Sequence, residues 1–172
     1  MSPRVIDLIV FPAAFGAAFV LTILLRRYAS ARRLVDVPNE RSSHQIPTPR
    51  GGGVAIVFTF LFGLPLLAWT GLLAYPVLIA LEGAGALVAL VGFLDDRGHI
   101  PARWRLLAHF VSAGWVLAWL GGVPALPFFG YSVTLGRLDV VLFALYLVWL
   151  LNMYNFMDGI DGLAGAEAVI VG

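Results

Sequence analysis

The sequence predicts an all-α fold: a polytopic integral membrane helical bundle with five full transmembrane helices plus the start of a sixth. Three observations carry that prediction. Of 172 residues, 60% are hydrophobic and 12% are charged, whereas a soluble domain is about half apolar and a quarter charged. Mean hydropathy is +0.92. The apolar residues also fall in long runs, and a bilayer core of about 30 Å needs roughly 20 of them in helical form.

The five runs are about Ile6 to Leu25, Gly53 to Trp69, Pro76 to Leu94, Leu106 to Leu120 and Leu138 to Met153. The first lacks a small-residue cleavage site and ends in Arg26 and Arg27, so it reads as a retained signal anchor. Thr70-Gly71 and Tyr75-Pro76 bracket a tight turn between runs two and three, and the glycines at 121, 122 and 130 separate runs four and five. Trp69, Tyr75, Trp104, Phe128, Phe129 and Tyr131 fall near run ends, where interfacial aromatic belts form. Trp115, Trp119 and Trp149 fall inside runs and are expected to pack. A sixth run begins near Leu163 and reaches Gly172. A helix ending in mid-membrane leaves carbonyls unsatisfied, so the chain is expected to be part of a longer protein.

Charge placement predicts orientation. All eleven basic residues are arginine. With alternating loops, nine arginines, at positions 26, 27, 32, 33, 41, 50, 97, 103 and 105, share one side, and only Arg4 and Arg137 lie opposite. The positive-inside rule then puts the N-terminus outside and segments 26–52, 95–105 and 154–162 in the cytoplasm. A net charge of +1 gives no signal for nucleic acid, and none is expected as a partner. Without cysteine there is no disulfide framework, thiol nucleophile or cysteine zinc site; without lysine there is no Schiff base or Walker-type lysine.

Each cytoplasmic segment holds a cluster. The first runs from Asp36 to Gly53 and includes Pro38, Arg41, His44, Pro47, Pro49, Arg50, Gly51 and Gly52. Its prolines oppose a regular helix. Backbone amides at a helix start, beside Arg41 and Arg50, suit a phosphate; a solvated basic loop is the plainer alternative. The second is Asp95-Asp96, two adjacent carboxylates at a helix C-terminus, where the dipole disfavours anions. A divalent cation or an arginine should compensate, and Arg97 is near in sequence. Such a pair can hold Mg²⁺, or supply a base or a nucleophile toward phosphorus. The third spans Asn152 to Gly165, with Asn155, Asp158 and Asp161. The two aspartates would share a face if helical; the Asp-Gly pairs would instead permit a sharp turn. Ionisable groups at membrane depth are functional hypotheses by default.

These residues resemble a family. Asp36, Pro38, Asn39, Arg41 and His44, then Pro47 to Gly53, then Asp95-Asp96, then Asn155, Asp158, Gly159, Ile160, Asp161 and Gly162 look like the motifs of the polyprenyl-phosphate N-acetylhexosamine-1-phosphate transferases, glycosyltransferase family 4. The first loop is similar to the branch that uses UDP-N-acetylglucosamine or a related UDP-N-acetylhexosamine. The resemblance implies that undecaprenyl phosphate attacks the β-phosphorus of the UDP-sugar, that sugar-1-phosphate moves to the lipid and that UMP leaves, with Mg²⁺ required. It implies catalytic roles for Asp95 and Asp96, one of which deprotonates or orients the lipid phosphate or acts as a covalent nucleophile. It implies substrate binding by Asn155, Asp158, Asp161, Arg41, His44, Gly51 and Gly52, and metal binding by Asp158 and Asp161. A further ligand is expected from a C-terminal half that residues 1–172 do not include. The implied setting is a bacterial plasma membrane, at the start of a surface-glycan, lipopolysaccharide or cell-wall pathway, with a homodimer as a candidate assembly. Residues 1–172 by themselves are expected to be inactive.

Two rival classes remain: a membrane transporter, and a non-catalytic membrane fragment or subunit. Broken helices and intramembrane acids also mark transport sites, yet here the acids gather at one interface. Glu82 is the exception. It lies 13 residues before Asp95, roughly 20 Å away at helical rise, and the motifs assign it no role.

Overall fold

The computed structural model describes residues 3–31, 35–36, 48–49, 52–98, 100–123, 126–128, 131–133, 136–157 and 163–171. Among these residues, six helices carry the fold: α1 (Pro3–Ala31), α2 (Gly52–Trp69), α3 (Tyr75–Gly98), α4 (Ala102–Trp119), α5 (Arg137–Met157) and α6 (Leu163–Val171). Each contains one of the apolar runs, because a buried or lipid-facing backbone must satisfy its own hydrogen bonds.

The all-α fold class expected from the sequence is observed, with one small addition in the connections among the described residues. Two short antiparallel pairs occur: β1 (Val35–Asp36) with β2 (Thr48–Pro49), and β3 (Leu126–Phe128) with β4 (Tyr131–Val133). Both lie in connections rich in proline or glycine, where the helical pattern is interrupted. Period-based reading overlooked them because strands of two or three residues show no alternation.

Among the described residues, three helical stretches are long and apolar enough to cross a membrane: Ile9–Ala31, Tyr75–Gly98 and Arg137–Met157. They mark a membrane protein. Gly53–Trp69 is a shorter apolar helix, and α4 carries Arg103, Arg105 and His109 in its first half. The helices overrun the apolar runs, so α1 includes Arg26 and Arg27 and α3 continues through Asp95, Asp96 and Arg97. Large apolar side chains cover the outside: Phe15 and Phe11 are more than 70% exposed, and Val140, Val141 and Leu145 are exposed on α5. Such a surface is stable against lipid and costly in water.

The chain forms two compact units, Met1–Leu66 and Leu67–Gly172. In the first, α1 contacts β2 beside the β1–β2 pair. Pro12 and Pro65 lie inside α1 and α2, where each removes an amide donor. In the second, α4 packs against both α3 and α5, and α6 contacts α5.

Glycines end two helices. After α2, the Leu72 amide donates to the Leu67 carbonyl at 2.9 Å and the Gly71 amide to Ala68 at 3.0 Å. After α4, Gly122 donates to Leu117 at 2.9 Å. Gly71 (φ +77°) and Gly121 (φ +74°) occupy the left-handed position that this motif requires. The predicted turns at 70–76 and 121–122 are thus present; Gly130 lies outside the described residues.

One large side chain reaches across the α3–α4 interface. The Trp115 indole N–H donates to the Ile79 carbonyl at 2.9 Å, and its ring lies against Gly83. Trp119 tilts onto Trp115 with centroids 5.9 Å apart. Trp149 departs from the expectation of packing: it is 58% exposed, with Tyr146 beside it on the same outer surface.

Candidate functional site at the ends of α3 and α5

The last turn of α3 carries the acid pair. Asp95 is part-buried, and Asp96 is exposed. Helix capping alone would not place anions here, because the dipole at a C-terminus is negative. Two donors offset that cost at Asp95. The Ile100 amide donates to Oδ1 at 2.7 Å, and Arg105 Nη1 donates to Oδ2 at 2.6 Å. The α3–α4 connection therefore folds back on the carboxylate that ends α3.

The sequence leaves a divalent cation or an arginine as the compensating group, and Arg97 is the arginine near in sequence. The structure assigns that part to Arg105 at Asp95, while the Arg97 guanidinium sits 4.1 Å from the Phe93 ring centroid. The helix explains the difference. Arg105 opens α4 and faces back across the turn, whereas Arg97 continues α3 and meets the ring four residues earlier on its own surface.

Asn155 lies in the last turn of α5, exposed and helical rather than in a turn. Asn152, one turn earlier, is fixed twice: Nδ2 donates to the Val148 carbonyl at 2.7 Å and lies 3.2 Å from His109 Nδ1. α4 thus meets the end of α3 through Arg105 and the end of α5 through His109. As a result Asp95, Asp96 and Asn155 come to one end of the three-helix layer.

Asp158 and Asp161 lie outside the described residues, as do Arg41, His44 and Gly51. Gly52 is the first residue of α2, which agrees with a glycine run that opens that helix. Among the described residues, no three ligating side chains converge in a metal cluster. Tyr154 and Glu167 flank the Asp158–Asp161 segment, and the Tyr154 hydroxyl donates to Glu167 Oε2, joining α5 to α6. Tyr154→Phe removes that bond, and we expect faster proteolysis between α5 and α6, read by limited digestion in detergent.

Sequence reasoning missed Arg105, His109 and Asn152 as site-building residues. Their signal was available: Arg105 and His109 stand four apart at the polar end of an apolar run, and Asn152 stands three before Asn155. Glu82 keeps its puzzle, since Oε1 is buried without a hydrogen-bond partner, as is Ser112 Oγ on α4.

Comparison with known proteins bears on this arrangement. The profile described as glycosyl transferase family 4 matches residues 78–172, which include α4, α5 and the acid pair. A probable undecaprenyl-phosphate N-acetylglucosaminyl 1-phosphate transferase of Bacillus subtilis is 28% identical across 99% of this chain and 48% of its own length. A decaprenyl-phosphate N-acetylglucosaminephosphotransferase of Mycobacterium tuberculosis is 33% identical across 85% of this chain and 38% of its own. An undecaprenyl-phosphate alpha-N-acetylglucosaminyl 1-phosphate transferase of Escherichia coli is 34% identical across 84% and 39%. The chain spans about half or less of the length of these relatives.

Proposed function

Because this chain belongs to glycosyl transferase family 4, we propose that the whole protein carrying it transfers a sugar-1-phosphate from a UDP-sugar to undecaprenyl phosphate and releases UMP. The sugar is N-acetylglucosamine or a related N-acetylhexosamine. The observation that supports this reading is that α4 ties the end of α3, which carries Asp95 and Asp96, to the end of α5, which carries Asn155, through Arg105–Asp95 and His109–Asn152. Phosphoryl transfer between two anions asks for alignment and charge neutralisation more than for covalent chemistry. A cluster of carboxylates, an arginine and an amide at a membrane boundary suits that demand.

Asp95 or Asp96 takes the proton of, or orients, the lipid phosphate. Asn155, Asp158 and Asp161 hold the nucleotide and its diphosphate. Arg41, His44, Gly51 and Gly52 are proposed to bind the soluble substrate. The donor set is one of hard carboxylate oxygens, which fits Mg²⁺, an ion that needs only one or two protein carboxylates beside water and phosphate. Asp158 and Asp161, the aspartates of the third motif, are the proposed ligands. When bound, the ion would neutralise diphosphate charge.

We also propose that α2 and α4 span the bilayer with α1, α3 and α5. The N-terminus is then outside and the site on the cytoplasmic side of a bacterial plasma membrane. The arginine distribution supports that orientation.

The test is UMP release by the purified whole protein with UDP-N-acetylglucosamine, undecaprenyl phosphate and Mg²⁺. Turnover is expected, together with its loss on adding EDTA and its return with excess Mg²⁺. Substrate flux without UMP would mark a transporter and refute the proposal. Residues 1–172 alone are expected to release none.

A further inference from the structure

Apolar helices in lipid gain little axial register from hydrophobicity, because lipid tails are as apolar as the neighbouring helix. A slip of one helical turn would move one helix about 5.4 Å along another. Polar ties are what a slip would break, and α4 has two of them. Arg105 and His109 stand four residues apart on adjoining turns of α4. Arg105 binds Asp95 of α3, and His109 meets Asn152 of α5.

We infer that Arg105, His109 and Asn152 form a positioning relay on α4 that holds the acid pair of α3 in register with the Asn155 motif of α5. Its catalytic consequence rests on the transferase reading above. Three details support it. Asn152 uses both amide hydrogens inside the protein, on Val148 and His109, so its side chain is locked and acts through its neighbours. Arg105 meets Asp95 through a single nitrogen, so the tie needs a charged donor rather than a guanidinium fork. Asp95 is further held by the Ile100 amide, so both of its oxygens have fixed directions. Displacing a reacting group by about 1 Å can cost roughly 10²-fold in rate, and a slipped turn exceeds that several times over.

The experiment uses the whole protein in reconstituted bilayers. Arg105→Gln and Asn152→Leu are each expected to lower kcat for UMP release about 10²-fold, with KM for UDP-N-acetylglucosamine within about twofold. Arg105→Lys should recover to within about tenfold of the native rate, since a point charge suffices for one contact. A raised KM with native kcat in Arg105→Gln would make Arg105 a substrate ligand and overturn the relay. Thermal-unfolding cycles pairing Asp95→Asn with Arg105→Gln, and His109→Leu with Asn152→Leu, read the ties without turnover. Non-additive shifts in both cycles are expected; additive shifts would overturn the relay. If the native protein released no UMP while both cycles stayed non-additive, the transferase reading would fall and the relay would stand.

Discussion

Asp95→Asn in the whole protein is expected to reduce UMP release by about 10³-fold or more while leaving the fold intact. The magnitude follows from the two parts assigned to this carboxylate. Loss of a positioned acid or base costs roughly 10²–10⁴-fold, and loss of a negative charge beside Arg105 also loosens the tie that aims it. Asparagine keeps the shape of the side chain, and its carbonyl oxygen can still accept from the Ile100 amide, which now stands 2.7 Å from Oδ1. A part-exposed ion pair contributes about 0.2–1 kcal/mol, so the melting temperature should move by only a few degrees. The check is a pair of measurements on one preparation: initial rates of UMP release, and thermal unfolding in detergent. Turnover near the native rate would remove Asp95 from the chemistry. A collapse in stability would make its part structural instead.

Gly83→Ala is expected to destabilise the α3–α4 pair by about 1–3 kcal/mol, the usual cost of forcing a methyl group into an occupied space. A Cβ at this position would lie 2.6 Å from Trp115 Cε2 and 3.0 Å from Cζ2. The indole cannot swing away freely, because its N–H is bonded to the Ile79 carbonyl at 2.9 Å. Relief of the clash therefore breaks that bond or parts the helices. Trp115→Phe alone should cost about 1 kcal/mol through the lost bond. In the Trp115→Leu background, Gly83→Ala should be nearly neutral, since the obstructing ring is gone. Thermal unfolding of the two single variants and the double variant measures that coupling. An equal cost of Gly83→Ala in both backgrounds would show that the ring is not the obstacle.

Much of the fold was legible along the chain because membrane helices leave a length and a composition behind them. The runs at 53–69 and 76–94 reappear as α2 and α3, and the breaks at Gly71 and Gly121 reappear as helix ends with positive φ. The ends were less legible. α3 runs on through Asp95-Asp96, and α5 runs on through Asn155 to Met157, because an interfacial helix continues with polar residues once it leaves the apolar core. β1–β2 and β3–β4 left no readable pattern, since a ladder of two or three residues depends on which segments meet.

The sequence by itself determined that this is a membrane helical chain, and it named the acid pair, Asn155 and their family. Composition, run length and motif order are local properties, so they can be read without a fold. Only the tertiary structure decided which cation answers Asp95. Arg97 is two residues away and turns to Phe93, while Arg105, ten residues on, closes the pair at 2.6 Å. Only the packing of α4 between α3 and α5 joined the acid pair to the Asn152–Asn155 turn through His109. The physical reason is one of direction: a helix sends neighbours in sequence to different faces, and a tight turn after α3 brings a later face back onto its end.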